Sequence, residues 1–384
     1  MYPIDRDAAV RLLTECVKLE TVNPPGNEKL AADWLAAQFA HMGLAPIVDD
    51  LGGNRANVMT VLKGSGEKPA LVFNGHLDVV PVGAGAWTYD PFGAVNVGGR
   101  LYGRGSSDMK GGLVAMVVAI GVLKKAGSAL KGDLIVTGVA DEETGALGAK
   151  AWVQRGGLQG VGAIVIGEPT NLEVYIAEKG AFWVEITTYG KTAHGSMPDL
   201  GVNAISHMMT ALQALHRLSL PYELHPLLDR PTMNVGTIVG GAKTNVVPDR
   251  CTVSIDFRTL PGMRHEDLLQ EIRRTLDGLH EALPQFRYDI RVLAERAPVA
   301  SDPHAAIVEA ALGILAARGR RETPKATPGY ATDASVFQPA SGAPFLIFGP
   351  GIPDLAHQPD EYIDLDTYLQ SIELYCDLAV RYLS

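Results

Sequence analysis

The stretch ALVFNGHLDVVP, residues 70–81, decides the predicted fold of this chain. Residues 70–73 form a short apolar run, which is typical of a strand covered on both faces. His76 and Asp78 follow at its carboxyl end, where open α/β sheets place their ligand sites. If the strand continues, positions two apart share one face, so the imidazole and the carboxylate lie side by side. That pairing suits a metal-bound histidine oriented by a carboxylate, although His-x-Asp also occurs by chance and a lone histidine is more often a core residue.

Composition indicates a globular protein with one large domain or two ordinary ones. The chain has 384 residues, of which 47% are hydrophobic and 20% charged. These proportions exclude a disordered chain and allow a sizeable core. The formal net charge of −10 comes without any basic run. Nucleic acid is therefore excluded as a partner, because a nucleic-acid-binding face needs clustered Lys and Arg.

No membrane or secretory segment is expected. The most apolar run, GGLVAMVVAIGVL at residues 111–123, has about the length of a core helix. The first residues are acidic and include no apolar signal region, so we expect a cytoplasmic protein. Cys16, Cys251 and Cys376 are widely scattered and form no CxxC motif. We expect them to be buried small side chains, neither disulfides nor thiolate metal ligands.

Acidic residues follow two further apolar runs. Two predicted helices over residues 6–42 precede an alternation of strands and helices, which predicts an α/β fold with a mostly parallel central sheet flanked by helices. The run at residues 134–139 leads directly into Asp141, Glu142 and Glu143, and the run in VGAIVIGEP leads into Glu168. Neighbouring carboxylates repel one another unless a cation or solvent relieves them. The alternative for the first group is a solvated helix N-terminus, where acids are favoured.

A long glycine-rich segment at residues 82–112 is predicted to be a loop that ends near Asp108. Loops of this length in compact domains usually serve a site. Glycine loops that enter helices also bind phosphate. The segment lacks the GxxxxGK[ST] spacing, and the chain has no GxGxxG motif, so a metal site is favoured over a nucleotide site.

The middle of the chain predicts a second domain inserted into the first. Residues 178–295 alternate strands and amphipathic helices as β-α-β-β-α-β, an α+β unit that resembles the ferredoxin-like arrangement. Residues 1–177 and 296–384 then make up the discontinuous first domain. Within the later part, His357 falls just after another apolar run that ends in glycines.

Several motifs in one order carry a family resemblance. They are GHLDVVP, GRGSSDMKGG, ADEETGALGA, GEP and AHQPDE. With them the chain resembles the zinc-dependent amidohydrolase and peptidase family of acetylornithine deacetylase, succinyl-diaminopimelate desuccinylase, aminoacylase and carboxypeptidase G. The resemblance implies a catalytic domain of the zinc-peptidase type with an inserted dimerisation or lid domain. It also implies two Zn²⁺ ions, with Co²⁺ or Mn²⁺ as substitutes.

The resemblance implies a role for each strand-end residue. His76 and Glu168 would bind one ion, and Glu143 and His357 the other. Asp108 would bridge the two ions, and Asp78 would fix the tautomer of His76. Glu142 would be the general base that takes a proton from metal-bound water and passes it to the leaving amine.

The resemblance implies three further residues in the inserted domain. His194 in KTAHGSMP would reach the opposite subunit's active site in a dimer and help to hold the oxyanion. Asn245 and Arg258 would bind substrate, the arginine by clamping an α-carboxylate in bidentate fashion. The alternatives are a surface loop histidine at position 194 and a rim ion pair at Arg258. The segment GYATDASVF, residues 329–337, resembles the GGTDA segment of carboxypeptidase-like members. It clearly matches neither the ornithine-specific nor the diaminopimelate-specific subfamily, which leaves the acyl group and the amino acid open.

The favoured function is hydrolysis of the amide bond of N-acyl-L-amino acids by a dinuclear zinc hydrolase, as in acetylornithine deacetylase and succinyl-diaminopimelate desuccinylase. A carboxypeptidase or dipeptidase using the same site is an alternative. A non-catalytic metal- or ligand-binding protein is a more distant one. We expect a small-molecule substrate and a homodimer formed through the inserted domain, and neither nucleic acid nor a membrane as a partner.

Overall fold

A computed structural model describes residues 2–218 and 221–384. The chain divides into two compact units. The first comprises Met1–Ile176, Ala300–Thr327 and Thr332–Ser384, and the second comprises Ala177–Val299 and Pro328–Ala331. The assignment of catalysis to the first domain and of dimerisation to the inserted domain stays a prediction.

The secondary structure follows the predicted alternation of strands and helices. The helices are α1 (Arg6–Val17), α2 (Lys29–His41), α3 (Gly111–Lys125), α4 (Leu147–Gln154), α5 (Ala204–Leu215), α6 (His265–Asp277), α7 (Ala306–Ala317), α8 (Ala334–Ser341) and α9 (Leu365–Leu383). The strands are β1 (Ile47–Gly52), β2 (Arg55–Leu62), β3 (Ala70–His76), β4 (Val95–Val97), β5 (Arg100–Tyr102), β6 (Leu134–Val139), β7 (Val161–Ile166), β8 (Tyr175–Glu178), β9 (Gly180–Tyr189), β10 (Thr232–Gly240), β11 (Arg250–Thr259), β12 (Arg287–Arg296), β13 (Val299–Ala300), β14 (Lys325–Ala326), β15 (Phe345–Ile347) and β16 (Tyr362–Asp364).

The central sheet of the first unit confirms the predicted α/β fold. Its strand order is β1-β2-β6-β3-β7-β15-β8-β13, with β14 paired to β8. The middle of the sheet is parallel, through the pairs β6–β3, β3–β7 and β7–β15. The pairs β1–β2, β2–β6 and β15–β8 are antiparallel, so the whole sheet is mixed. Strand β6 is buried throughout, as expected for a strand covered on both faces.

Helices cover both faces of this sheet. Phe73 of β3 lies 5.4 Å, between ring centroids, from Tyr375 of α9, and Trp152 of α4 lies 5.4 Å from Phe337 of α8. Helix α3 comes so close to the end of β7 that a Cβ at Gly112 would lie 1.9 Å from the carbonyl oxygen of Gly167. Glycine is therefore required at position 112. The close approach brings the turn before α3 next to the turn after β7.

The second unit has the predicted ferredoxin-like arrangement. Strands β10-β11-β9-β12 form an antiparallel sheet in that order. The order follows from two β-α-β crossings, because each helix carries the chain past one strand. The sheet and both helices share one apolar core, which includes Phe182, Ile255, Met208 and Ile272.

The segment at residues 82–112 differs from the predicted loop. It contains β4 and β5, which pair with each other, and β5 also pairs with β16. The connection between β4 and β5 is Gly98-Gly99, with φ values of 61° and 80°. Two consecutive residues with positive φ are the signature of a tight hairpin turn. The Gly-Gly pair therefore indicates a hairpin. The strands on either side have only three residues each, too few to show a recognisable strand pattern in the sequence.

The helical stretch Ser106–Lys125 is long and apolar enough to cross a membrane, with a mean hydropathy of 1.5. This differs from the expectation that no run reaches that length, because an irregular helical turn at Ser106–Lys110 precedes α3. The most apolar window is 83% buried inside the fold, as in a core helix. The three cysteines are free and buried, as predicted.

Candidate metal centre

Three neighbouring strands deliver the candidate ligands to one edge of the central sheet. His76 is the last residue of β3, Glu168 comes two residues after β7, and Glu143 comes four residues after β6. Since β3 lies between β6 and β7 and is parallel to both, their carboxyl ends meet at the same edge. The sequence pattern of acids after apolar runs thus corresponds to a single place in the fold.

Two groups of side chains converge there and share Asp108. His76 Nε2 lies 3.1 Å from Asp108 Oδ1 and 3.7 Å from Glu168 Oε1. His357 Nε2 lies 3.3 Å from Asp108 Oδ2 and 3.1 Å from Glu143 Oε2. Within each group the possible ligand atoms all lie within 4.8 Å of one another. The two oxygens of Asp108 therefore face different groups, which is the arrangement that a bridging carboxylate needs.

The tautomer of His76 is set mainly by the backbone. Its Nδ1 lies 2.9 Å from the carbonyl oxygen of Asp78 and 3.7 Å from Asp78 Oδ1. A protonated Nδ1 donates to that carbonyl and leaves Nε2 free to accept a cation. The predicted contact with the Asp78 carboxylate is thus the longer of the two.

The carboxylate of Asp78 instead holds the turn after β6. Its Oδ1 accepts the main-chain N–H of Glu142 at 3.1 Å, and its Oδ2 accepts that of Glu143 at 3.1 Å. Asn23 also donates to Oδ2 through its side-chain amide at 2.9 Å. Asp78 therefore fixes the backbone of both glutamates while its own carbonyl orients His76.

A second set of buried and half-buried residues supports the same turn and was missed in the sequence. Arg55 Nη1 lies 2.8 Å from Glu28 Oε1 and 2.7 Å from Asp141 Oδ1. Asn23 donates to the same Asp141 oxygen at 2.9 Å. Asp141 has a φ of 68°, a left-handed conformation that costs energy for a residue other than glycine. The available signal was the polar NPPGNE break before α2, which contributes Asn23 and Glu28.

Burial and mutual repulsion shift the pKa values of the acids. Burial, together with the charge of Asp108, raises the pKa of Glu143 to about 7, and the same causes raise that of Glu168 well above its ordinary value. Burial opposes ionisation of Asp108 too, but hydrogen bonds from His357 and His76 outweigh it and hold its pKa far below the usual range. Glu142 adds to the repulsion at Glu143 and Glu168, so its carboxylate acts on the same cluster.

The two histidines are shifted in the opposite direction. Hydrogen bonds to Asp108 and Glu143 raise the pKa of His357 to about 10. For His76, burial favours the neutral ring, but the charge of Glu168 and the hydrogen bond to Asp108 raise its pKa well above the ordinary value. In the metal-free protein, hydrogen bonds from protonated imidazoles to the carboxylates therefore hold the cluster together.

The residues present fit a pair of divalent cations. Imidazole nitrogen and carboxylate oxygen are the ligands that zinc accepts in open sites. Glu143 Oε1 is buried and has no hydrogen-bond partner in the part of the chain that the structure describes. A buried carboxylate oxygen without a partner is costly, and a cation beside it would remove that cost.

The other three predicted residues lie in the second unit. His194 Nδ1 lies 2.7 Å from Ser196 Oγ, and the following N–H of Gly195 donates to the carbonyl of Asn245 at 2.8 Å. His194 and Asn245 are therefore on adjacent segments. Arg258 donates to Asp256 at 3.0 Å and to the carbonyl of Gly329 at 3.1 Å. The ion-pair alternative for Arg258 is thus present as a contact, because Nε and Nη2 both donate to Asp256 while Nη1 donates to the Gly329 carbonyl.

Comparison with known proteins identifies the family. Residues 72–381 match Peptidase family M20/M25/M40. The chain belongs to this family. Proteins that resemble it include a probable succinyl-diaminopimelate desuccinylase of Staphylococcus epidermidis, 31% identical over 100% of both chains. The acetylornithine deacetylase of Proteus mirabilis is 35% identical over 88% of this chain and 84% of its own. The resemblance stated above is confirmed, and the chain is a metal-dependent hydrolase.

Solved structures share the M20 fold over nearly the full length. The M20 family metallo-carboxypeptidase Sso-CP2 from Sulfolobus solfataricus superposes with a TM-score of 0.81 at 19% identity, covering 97% of this chain and 99% of its own. The YXEP protein of Bacillus subtilis, described as a dinuclear metal binding peptidase, gives a TM-score of 0.75 at 17% identity, covering 98% of this chain and 99% of its own. At these identities the likeness concerns the fold.

Proposed function

We propose that this M20 protein hydrolyses the amide bond of N-acyl-L-amino acids at a dinuclear zinc site. The observation that carries the proposal is the convergence of two histidine–carboxylate groups on the opposite oxygens of Asp108. The substrate class rests on relatives named for desuccinylation of succinyl-diaminopimelate and deacetylation of acetylornithine. Both names describe removal of an acyl group from an amino-acid amine.

In this proposal each ion has its own pair of ligands. His76 and Glu168 would hold one ion, Glu143 and His357 would hold the other, and Asp108, which belongs to both groups, would serve both. The same donor set accepts Co²⁺ or Mn²⁺, since neither imidazole nor carboxylate selects strongly among these metals. When bound, the ions would supply Lewis acidity to a water molecule and to the scissile carbonyl.

Glu142 is the proposed general base. It takes a proton from the attacking water and delivers it to the nitrogen of the leaving amine, so that the amine departs neutral. The main-chain N–H of Glu142 donates to Asp78. This contact orients the side chain of Glu142, which is not itself a proposed metal ligand. Its neighbour Glu143 is tied to His357 in the second group. Two adjacent glutamates thus have separate tasks.

The second unit supplies the proposed substrate contacts. Arg258 would clamp the α-carboxylate, Asn245 would bind beside it, and His194 would donate to the developing oxyanion. We propose that His194 acts in the partner subunit's site of a homodimer. An exposed edge supports dimerisation through this unit, because β10 ends the sheet and its Ile238 and Val239 are 56% and 72% exposed. Exposed apolar edge strands favour pairing with another chain.

A substrate panel tests the proposed reaction. The purified protein is assayed with Zn²⁺ or Co²⁺ against N-acetyl and N-succinyl amino acids and against dipeptides, and kcat/KM is compared. We expect acyl-amino acids to exceed dipeptides by at least about tenfold, a difference of about 1.4 kcal/mol in transition-state binding. Preference for dipeptides would replace the proposal with a peptidase. Two bound ions without hydrolysis of any compound would indicate a binding protein.

A mixing experiment tests the role of His194 and of the dimer together. Glu142→Ala and His194→Ala variants are each assayed alone and then mixed under conditions that allow subunits to exchange. If His194 acts across the interface, mixed dimers contain one complete site, and about a quarter of wild-type activity returns. Light scattering measures the oligomeric state. A dimer in which mixing restores no activity would place His194 outside the partner's site.

A further inference from the structure

A fully buried ion pair lies beside the shared ligand Asp108. Arg104 and Glu361 are each 1% exposed, and Arg104 Nη1 lies 2.6 Å from Glu361 Oε2. Neither residue belongs to the predicted ligands or to the proposed acid–base and substrate groups. A buried ion pair contributes little net stability compared with apolar residues of similar size. Its presence here therefore calls for a role other than stability.

Glu361 binds the main chain that leads into Asp108. Its Oε1 accepts the N–H groups of Ser107 at 2.8 Å and Asp108 at 3.0 Å, and its Oε2 accepts that of Gly105 at 3.0 Å. One carboxylate thus satisfies three main-chain donors within four residues. Charge-assisted hydrogen bonds of this kind fix backbone position more firmly than neutral ones. The orientation of the Asp108 carboxylate depends on this stretch of backbone.

Arg104 binds the segment that carries His357. Its Nη2 donates to the carbonyl of His357 at 3.3 Å, and its Nη1 donates to that of Gln358 at 3.3 Å. The guanidinium also lies over the ring of Trp87, 5.1 Å from the centroid. His357 itself has a φ of 65°, so its backbone is held in a conformation that L residues rarely adopt. The guanidinium fork provides two of the contacts that hold it.

We propose that the Arg104–Glu361 pair is a positioning device that sets the spacing between the Asp108 carboxylate and the His357 imidazole, and so controls binding of the ion held by Glu143 and His357. The inference rests on the proposed dinuclear function. His76 and Glu168 are placed differently, by the register of the parallel strands β3 and β7. The ion proposed for His76 and Glu168 depends on the Arg104–Glu361 pair only through Asp108.

The test uses two conservative variants. Arg104→Lys keeps the charge but loses the fork, and Glu361→Gln keeps one acceptor oxygen but loses the charge. Ions retained per chain are counted after dialysis of Zn²⁺-loaded protein against increasing concentrations of a chelator. The absorption of Co²⁺-loaded protein reports the ligand geometry independently of activity. A control variant, Leu35→Ala in the buried core of α2, lowers stability without touching either group.

We expect both variants to bind the ion held by Glu143 and His357 about 10- to 100-fold more weakly than the wild type, as when a residue that orients a metal ligand is lost. The ion held by His76 and Glu168 should be weakened less, because only its contact with Asp108 is affected. The control should keep both ions at wild-type affinity. Unchanged affinity for both ions in both variants would overturn the inference. So would equal weakening of the two ions, or the same loss in Leu35→Ala. If a single variant fails to fold, Arg104→Gln combined with Glu361→Gln leaves no unpaired charge and carries the same expectation.

The results separate this inference from the proposed function. A wild-type protein that binds two ions but hydrolyses no amide removes the proposed reaction, while selective loss of the second ion in the variants still supports the positioning role. A wild-type protein that hydrolyses acyl-amino acids, with variants that bind both ions normally, overturns only the positioning role. A wild-type protein that binds no pair of ions overturns both.

Discussion

The candidate metal ligands of the first unit and the candidate substrate residues of the second unit are held in different ways. His76 and Glu168 are 1% and 5% exposed and lie at the ends of parallel strands. His194 and Asn245 are exposed and lie on connecting segments. Buried charged groups must be paired, so the strand-end cluster is fixed before any ligand arrives. Exposed loop residues have no such requirement, and they vary more easily among relatives with different substrates.

His357 combines features of both groups. Its side chain is 51% exposed although its ring joins the buried cluster through Glu143 and Asp108. It lies on a connection, as His194 and Asn245 do, yet it is grouped with the strand-end ligands. The Arg104–Glu361 pair gives this connection the rigidity that a strand gives to His76. The comparison therefore predicts large effects for chemistry in the first unit and smaller effects for recognition in the second.

The largest effect is expected for Glu142→Ala. Loss of a general base reduces kcat by about 10²- to 10⁴-fold. Metal content should stay at the wild-type level, because the Asp78 contacts that hold the turn use only the backbone of positions 142 and 143. Turnover and ions per chain are measured on the same preparation.

Glu309→Ala is a suitable control for Glu142→Ala, since this residue of α7 has a side chain that is 63% exposed. It should behave as wild type in both measurements. Near-normal turnover of Glu142→Ala would remove Glu142 from the base role. Loss of an ion from this variant would instead make Glu142 a ligand.

The next effect concerns metal affinity and pH. The pKa of His357 is about 10 and that of His76 is well above its ordinary value, so both rings carry protons at neutral pH in the metal-free protein. Each must lose its proton before it binds an ion. Affinity therefore rises with pH, and lowering the pH from about 7 to about 6 should weaken Zn²⁺ binding by at least about 100-fold in total, tenfold for each histidine proton displaced. Glu143 and Glu168, whose pKa values are also raised, add to this decrease.

Competition with a chelator of known pH dependence measures this change. In His357→Gln only one of the two histidine protons remains, so the decrease should become about tenfold smaller than in the wild type. His194→Gln, in the second unit, should leave the full dependence intact. An affinity that does not change over this pH range would contradict the proton-sharing cluster.

The sequence predicted the strand-end part of the site because its signals are local. An apolar run followed by a histidine or an acid needs only strand geometry to place His76, Glu143 and Glu168 at one edge. The bridging role of Asp108 and the inclusion of His357 came from family resemblance, since no periodic pattern marks either residue. The structure places both in the cluster by contacts across long sequence separations.

The residues that orient the ligands could not be predicted from local pattern. Arg55 is 86 positions from Asp141, and Arg104 is 257 positions from Glu361. The sequence around each arginine is equally typical of an exposed polar segment. Their burial follows from how distant segments pack, as does the pairing of β5 with β16. Such contacts depend on the finished fold and leave no periodic trace in the chain.

The smallest effect is expected for Arg258→Lys in the second unit. The guanidinium is already hydrogen-bonded to Asp256 and to the Gly329 carbonyl, and its side chain is 28% exposed, so lysine should fold in its place while losing the bidentate fork. We expect KM to rise about tenfold with kcat nearly unchanged, because the clamp binds substrate and transition state alike. The increase should disappear for substrates whose α-carboxylate is replaced by an amide, since the lost fork has nothing to bind there. Steady-state kinetics on such a substrate pair measures this, with the exposed Arg264→Lys as the matched control. An equal rise in KM for both substrates would indicate that Arg258 only forms a rim ion pair and that other residues recognise the carboxylate.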